Sequence, residues 1–382
     1  MAGSVRKDGN SWYYVLETKV NGNRKQVKKR GFRTKREADR ALTEAENAVN
    51  QGTYIQPSKL SYGQYITEWM NNRKHNLSNQ TFMMMNGNIN KHILPSLGDV
   101  LLIEIRANTI AHFITELRSR GLADSTVKRI FSIVNTSLND AEKMELITKN
   151  YAGIVEKPKV QRKDITVWSV EETIKFLDVV RVNRLYIAFH LAIATGMRQG
   201  EILGLRWKDV DFDNEILCVR QTLSHDGKML MSGAKTALSI RTIAIDPQTV
   251  EALRKQRRIV LEEKMGLGSQ YKDNDLVVCT ALGTPVTPRN LMRTYYRIIK
   301  QNELNNITFH DLRHTHASLM LRQNIHPKVV SERLGHSKIQ ITLDTYSHLM
   351  PNMQQDAANE IGNLLFKSRN LDAKEVFAGN EQ

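Results

Sequence analysis

Three kinds of hydrophobic patterning succeed one another along the chain. In the first, Ser11-Trp12-Tyr13-Tyr14-Val15-Leu16-Glu17-Thr18-Lys19-Val20 is rich in β-branched and aromatic residues, Asn21-Gly22-Asn23 follows, and an extended pattern resumes over residues 24–32. Strand, Asn-Gly turn, strand predicts a hairpin, because Asn and Gly tolerate the positive φ of a two-residue turn. Thr34 with Glu37 three residues on reads as a helix start leading into residues 38–49. The first 55 residues or so are therefore expected to be a small sheet followed by one helix.

From about 59 to 157 the apolar period becomes helical. Tyr65, Ile66, Trp69 and Met70 share one face of a helix over 62–73. A second helix is expected over 78–93, stopping at Pro95, and a third over 108–120, ending at Gly121. Asp124 or Ser125 should cap a fourth, over 126–144. Met83, Met84 and Met85 read as packing residues. Residues 157–164, basic and marked by Pro158, form an expected interdomain linker.

The third pattern, from about 165, mixes helices with a β region. Ser169-Val170-Glu171-Glu172 opens a helix with a capping box, and 186–195 is so continuously apolar that it must be buried, with Gly196 as its stop. Strand signals cover 214–222 and 239–245 around the turn His225-Asp226-Gly227-Lys228. Asp246-Pro247 starts another helix, and helices continue to about residue 365, before a polar tail. The expected class is mainly α with small β elements (α+β): a 1–55 sheet-plus-helix domain, a 59–157 helical domain, a 165–370 mixed helical domain with a small sheet, and a 371–382 tail.

Composition narrows the partner. Lys and Arg total 55 against 40 Asp and Glu, a net +15 in 382 residues, which favours a polyanion, nucleic acid first and an anionic membrane second. Nine basic residues and no acidic one lie between Lys19 and Arg36. On a hairpin such a run suits a sheet laid in a DNA groove, with Arg24, Lys25, Lys28, Lys29 and Arg30 as candidate phosphate contacts. Two cysteines, Cys218 and Cys279, supply neither a disulfide framework nor a zinc finger. No stretch approaches the roughly 20 apolar residues that span a bilayer, and Met-Ala-Gly-Ser-Val-Arg lacks the core of a signal peptide. A soluble, intracellular, DNA-facing protein is the expectation.

Four local patterns in the third segment carry the candidate chemistry: 194–202 around Arg198, His310-Asp311-Leu312-Arg313-His314-Thr315-His316-Ala317, Leu334-Gly335-His336-Ser337, and 342–349 around Tyr346. Singly each is unremarkable: an arginine at a helix end usually makes an ion pair, for which Glu201 is in reach, and His314 and His316 read as packing or hydrogen-bonding residues. A metal reading of the histidines lacks HExxH and any acidic or cysteine cluster. Together, two arginines, two histidines, a lysine and a tyrosine form a kit for cutting a phosphodiester without metal. Guanidinium groups bridge phosphate oxygens and stabilise a pentacoordinate transition state. A tyrosine can be the covalent nucleophile, a histidine can move its proton, and a lysine can protonate the departing oxygen.

At these residues the sequence resembles the tyrosine recombinases, specifically the phage-type integrases. The matching stretches are Thr195-Gly196-Met197-Arg198-Gln199-Gly200-Glu201-Ile202, His310-Asp311-Leu312-Arg313-His314-Thr315, Leu334-Gly335-His336 and Asp344-Thr345-Tyr346-Ser347-His348. The likeness extends over the whole chain: 59–157, including His92-Ile93-Leu94-Pro95-Ser96-Leu97-Gly98, resembles the core-binding domain, and 1–55 the arm-binding domain. The resemblance implies that Arg198 and Arg313 clamp the scissile phosphate, that Tyr346 attacks it to give a 3′-phosphotyrosyl link, that His310 assists proton transfer and that His336 bonds a non-bridging oxygen. Lys235, in Gly233-Ala234-Lys235-Thr236, matches the family's hairpin lysine and would protonate the 5′ oxygen, with Lys228 as second candidate. Glu201 would support the first arginine.

It further implies no cofactor, metal or ATP, a homotetramer on double-stranded DNA with core-type and arm-type attachment sites, an excisionase and a host DNA-bending protein as further partners, and a place in the bacterial cytoplasm, on the nucleoid. Residues 352–366 read as an amphipathic helix that docks on a neighbouring protomer. A non-catalytic DNA-binding regulator on the same scaffold is the competing class, and a metal-dependent nuclease or transposase, which needs a carboxylate triad, is the other.

Overall fold

Strand β1 (Ser4–Asp8), β2 (Ser11–Val20) and β3 (Asn23–Phe32) form an antiparallel sheet in that order, and helix α1 (Lys35–Asn50) follows. The computed structural model describes residues 3–20, 23–50, 59–160, 165–232, 240–346 and 353–366. The Asn21-Gly22 turn, the second half of the expected linker (161–164), Lys235, His348 and the 371–382 tail lie outside the described residues. The chain divides into two units, Met1–Arg162 and Lys163–Gln382.

In the first unit, Tyr14, Val15 and Leu16 in the middle of β2 are buried in succession. Leu16 and Val27 are register partners and both are buried, while Lys28, Lys29 and Arg30 stay exposed. Arg24 and Lys25 take their register places in β3 opposite Lys19 and Thr18. Tyr14, Leu16 and Leu42 form the small core, with Phe32 stacked 5.8 Å from Tyr14. The expected cap is present: Glu37 N–H donates to Thr34 Oγ1 at 3.2 Å, and the Glu37 carboxylate accepts from the Arg33 and Thr34 N–H groups.

Helices α2 (Tyr62–Arg73), α3 (Asn79–Asn88), α4 (Leu94–Leu97), α5 (Ala107–Ser119) and α6 (Asp124–Lys143) share a second core, in which Ile66, Ile110, Leu117, Val127, Ile130 and Val134 are wholly buried. Three expectations are corrected here. Pro95 does not stop a helix: a π-helical stretch, Ile89–Ile93, intervenes, and Pro95 sits in the first turn of α4, which follows it without a break. Neither Asp124 nor Ser125 is the N-cap of α6; Ala123 is, and Asp124, the first helical residue, instead pairs with Arg118 at 3.1 Å. Of the three methionines only Met85 packs on the core, Met83 and Met84 being exposed.

The second unit contains α7 (Val170–Val180), α8 (Tyr186–Thr195), α9 (Gln199–Leu203), strands β4 (Val210–Asp211), β5 (Ile216–Val219), β6 (Gln221–Leu223), β7 (Leu230–Ser232) and β8 (Arg241–Ala244), then α10 (Pro247–Leu267), α11 (Pro288–Gln301), α12 (Asp311–Arg322), α13 (Pro327–Leu334), α14 (Ile339–Tyr346) and α15 (Met353–Phe366). The predicted strand over 214–222 is divided at Arg220: β5 pairs with β4 and β8, whereas β6 pairs with β7. The buried α8 lies at the centre, its Phe189 ring 5.5 Å from Phe176 and 6.1 Å from Tyr295. A separate small cluster, Ala317, Leu321, Val330, Leu334 and Tyr346, ties α12, α13 and α14 together. Ser169 forms the expected capping box with Glu172, and Asp246 caps α10 through Thr249 N–H.

Candidate active site

Two left-handed glycines shape the site. Gly196 (φ +65°) ends α8 and Gly335 (φ +69°) ends α13. A Cβ on Gly196 would lie 2.7 Å from Leu334 Cδ2 and 2.8 Å from His316 Cδ2, so both backbone conformation and space require glycine. Turning there, the chain presents the Gly196 carbonyl to Arg313, whose Nη1 donates to it at 2.7 Å while Nη2 donates to the Leu334 carbonyl at 2.6 Å. Gly196→Ala is therefore expected to destabilise the unit by about 1–3 kcal/mol, measurable as a lower urea midpoint, and to loosen Arg313 with it.

Arg313 is 3% exposed, and none of the ion pairs among the described residues includes it. Its carbonyl partners orient the guanidinium without neutralising it. Burial, followed by the Arg198 charge, pulls its pKa down to about 9, which still leaves it cationic at neutral pH. Arg198, the N-cap of α9, is 45% exposed at its side chain; Nη1 donates to Glu201 Oε1 at 2.8 Å and Nη2 reaches the Gly335 carbonyl at 3.4 Å.

Glu201 does more than hold Arg198. Its two oxygens also accept from Arg241 Nη1 at 3.0 Å and Nη2 at 2.7 Å, a bidentate pair buried on both sides. Burial by itself would raise this carboxyl; the Arg241 hydrogen bonds and charge, then Arg198, outweigh it and hold it at about 2. Arg241 Nε donates to the Arg333 carbonyl at 2.9 Å. Arg333 in turn donates to His316 Nε2 at 3.0 Å and to the Ala194 and Ala244 carbonyls. His316 Nδ1 meets the Ile193 carbonyl at 2.7 Å, so the ring links α12 to α8 as a neutral imidazole, held at about 4 by burial and by Arg333.

The remaining expected residues lie around this frame. His336 Nδ1 is 2.8 Å from Thr342 Oγ1, and burial with the Arg313 and Arg198 charges lowers it to about 4. His310, at the start of α12, is likewise lowered, by burial of its ring and then by Arg313. Tyr346, the last residue of α14, is 1% exposed and within electrostatic reach of Arg313; burial raises its phenol to about 12. Its Oη lies 2.6 Å from His314 Nδ1. Arg198, His310, Arg313, His336 and Tyr346 are thus brought together, and Lys235 lies outside the described residues. No group of three or more His, Cys, Asp or Glu side chains among the described residues could hold a metal ion.

Sequence reasoning missed Arg241 and Arg333. One signal was available for Arg241: alternation in β8 puts it on the same face as buried Ile243, an inward position where a lone arginine needs a carboxylate. For Arg333, on the last turn of α13, no local signal exists.

Comparison with known proteins finds matches over three consecutive stretches of the chain. The Phage integrase family matches residues 165–353, an Arm DNA-binding domain residues 4–49, and the Phage integrase, N-terminal SAM-like domain residues 61–118. A tyrosine recombinase XerC-like protein of Caldanaerobacter subterraneus subsp. tengcongensis is 29% identical over 384 residues, covering 94% of this chain and 97% of that protein. The ICEBs1 integrase of Bacillus subtilis is 29% identical, over 72% of this chain and 76% of its own length. Among solved structures, the Tn1549 transposon integrase in complex with a circular intermediate DNA superposes with TM-score 0.67 at 17% identity, over 79% of this chain and 99% of that one. A lambda integrase tetramer bound to a Holliday junction gives 0.59 at 20% identity, over 89% and 96%. Those two likenesses establish the fold; with the three sequence matches, the chain belongs to the phage integrase family, the site-specific tyrosine recombinases of mobile elements, which cleave and rejoin DNA.

Proposed function

We propose that this recombinase integrates and excises its element through a 3′-phosphotyrosyl intermediate made by Tyr346. The observation that carries the reading is Arg313, a buried guanidinium with no carboxylate ion pair among the described residues, beside Arg198 and in reach of the Tyr346 phenol. Such a cation awaits an anion, and a phosphate held by two guanidiniums satisfies it. The Tyr346 oxygen bonds to phosphorus as the P–O5′ bond breaks. The phenol proton passes to His310, neutral because its pKa is lowered, and the 5′ oxygen takes a proton from Lys235. His336 donates to a non-bridging oxygen from the ring nitrogen that Thr342 leaves free. The 5′-hydroxyl of another strand reverses the step, so one phosphodiester is exchanged for a bond of similar energy without ATP, metal or cofactor.

Residues 1–55 act as the arm-type domain, with Arg24, Lys25, Lys28, Lys29 and Arg30 on phosphates; 59–157 as the core-binding domain; and 165–370 as the catalytic domain. Chromosomal substrates place the protein in the bacterial cytoplasm, on the nucleoid, and directionality brings in an excisionase and a host DNA-bending protein. Four protomers act on two duplexes. Helix α15 supports that assembly: Ile361, Leu364 and Leu365 are all more than half exposed in the single chain, and they bury on a neighbouring protomer. Deletion after residue 350 is expected to lower tetramer assembly on DNA, in sedimentation or native gels, well beyond any loss of single-site binding; equal losses would refute docking in trans.

The deciding experiment incubates the protein with a nicked suicide duplex carrying a candidate attachment core, in chelator and without ATP. A covalent protein–DNA band on a denaturing gel supports the reading. Specific binding without any band would favour the non-catalytic regulator.

A further inference from the structure

His314 has no role in the proposed chemistry, yet it makes the hydrogen bond that the Tyr346 oxygen has in this structure. It lies one helical turn beyond His310 on α12, and the two imidazoles meet edge to face, 5.0 Å apart at 89°. On its other side the His314 ring is 5.6 Å from the Tyr346 ring, with Nδ1 2.6 Å from Oη. The phenol ring itself is sealed among Ala317, Leu321, Val330 and Leu334. Packing of this kind fixes the ring but leaves the O–H free to turn; the hydrogen bond decides where the proton and the lone pairs point.

The acidities keep both partners of that bond uncharged. Burial raises Tyr346 to about 12, while burial and then the His310 charge lower His314 to about 4. The phenol therefore keeps its proton and the imidazole stays neutral, and in the tautomer that carries its hydrogen on Nε2 the ring accepts the Tyr346 O–H through Nδ1. His314 is thereby a fixed, uncharged hydrogen-bond partner for the phenol oxygen. A reacting oxygen must sit roughly 3–3.5 Å from the phosphorus and in line with the leaving oxygen, and a displacement of about 1 Å can cost on the order of 100-fold.

We propose that His314 is the positioning residue for the nucleophile: it accepts the Tyr346 O–H and holds that oxygen at one place beside the arginine pair until the scissile phosphate arrives. The proposal rests on Tyr346 being the nucleophile.

Two substitutions separate the hydrogen bond from the packing. His314→Asn puts a side-chain oxygen at the position of Nδ1 and keeps an acceptor; His314→Phe keeps a ring against His310 and removes the acceptor. Each full-length variant is assayed for suicide-duplex cleavage and for site binding, and without DNA for nitration of Tyr346 by tetranitromethane, read by peptide mapping. His314→Phe is expected to cleave about 10- to 100-fold more slowly than wild type at unchanged site affinity, with His314→Asn within about threefold. Tyr346 should be nitrated several-fold faster in His314→Phe than in wild type or His314→Asn. Equal cleavage losses in both variants with unchanged nitration would make His314 a packing residue and overturn the proposal. Cleavage in His314→Phe as fast as wild type, or faster, would overturn it too. Failure of the underlying reading looks different: the covalent band would then survive Tyr346→Phe.

Discussion

Tyr346→Phe is expected to abolish the covalent protein–DNA adduct, a loss of at least about 10⁴-fold, while site binding stays within about twofold. The two results are separable because the substitution removes one oxygen from a ring that is otherwise enclosed by apolar side chains. The phenylalanine ring keeps those contacts, so the join of α12, α13 and α14 persists and the arginines keep their carbonyl partners. What disappears is the atom that bonds to phosphorus. His314 loses its donor, at a cost of about 1 kcal/mol, too small to unfold the unit. The measurement is band intensity on a denaturing gel beside a binding isotherm for the same duplex. A band that survives would move the nucleophile elsewhere in the chain.

Glu201→Gln should give the largest loss of stability of any single change at the site, about 3–5 kcal/mol. The side chain is buried, as is that of Arg241, and the bidentate pair supplies the only carboxylate that Arg241 has among the described ion pairs. The amide keeps the shape but removes the charge and turns one acceptor into a donor facing a guanidinium. Arg198, being half-exposed, contributes less, because water screens it. The acid limb of the stability curve checks the argument independently. Glu201 is held at about 2 against an ordinary 4.5, so its contribution is fully present above pH 4.5 and is lost as pH falls through 2. Urea unfolding at pH 7 should show the full gap between wild type and Glu201→Gln, and the two curves should converge near pH 2. A gap independent of pH would mean that the carboxylate's charge is not what holds the arginines.

Much of this protein is written locally. The Thr34/Glu37 and Ser169/Glu172 pairs mark helix starts because a cap is satisfied within four residues, and Asp246-Pro247 does the same for α10. The continuous apolar run over 186–195 announces a buried helix, and Gly196 marks its end because only glycine enters the left-handed region cheaply. The order of Arg198, His310, Arg313, His336 and Tyr346, and the family resemblance those residues carry, also belong to the sequence. Local rules misplaced what was decided by small differences: whether Asp124 caps α6 or pairs with Arg118, and whether Pro95 ends one helix or opens the next.

The tertiary structure decided partnership. His310, Arg313 and His314 stand at i, i+3 and i+4, so helical period gives all three nearly one face and cannot say which meets carbonyls and which meets a phenol. That Arg313 donates to Gly196 O across 117 residues, that Glu201 is shared with Arg241 across 40, and that Tyr346 meets His314 across 32 follow from how α8, β8, α12, α13 and α14 pack. Backbone conformation is set by short-range sterics and caps, which a window of sequence contains. The charge state and orientation of a buried polar group depend on whichever distant atom packing brings within 3 Å, and that information exists only once the chain has closed on itself.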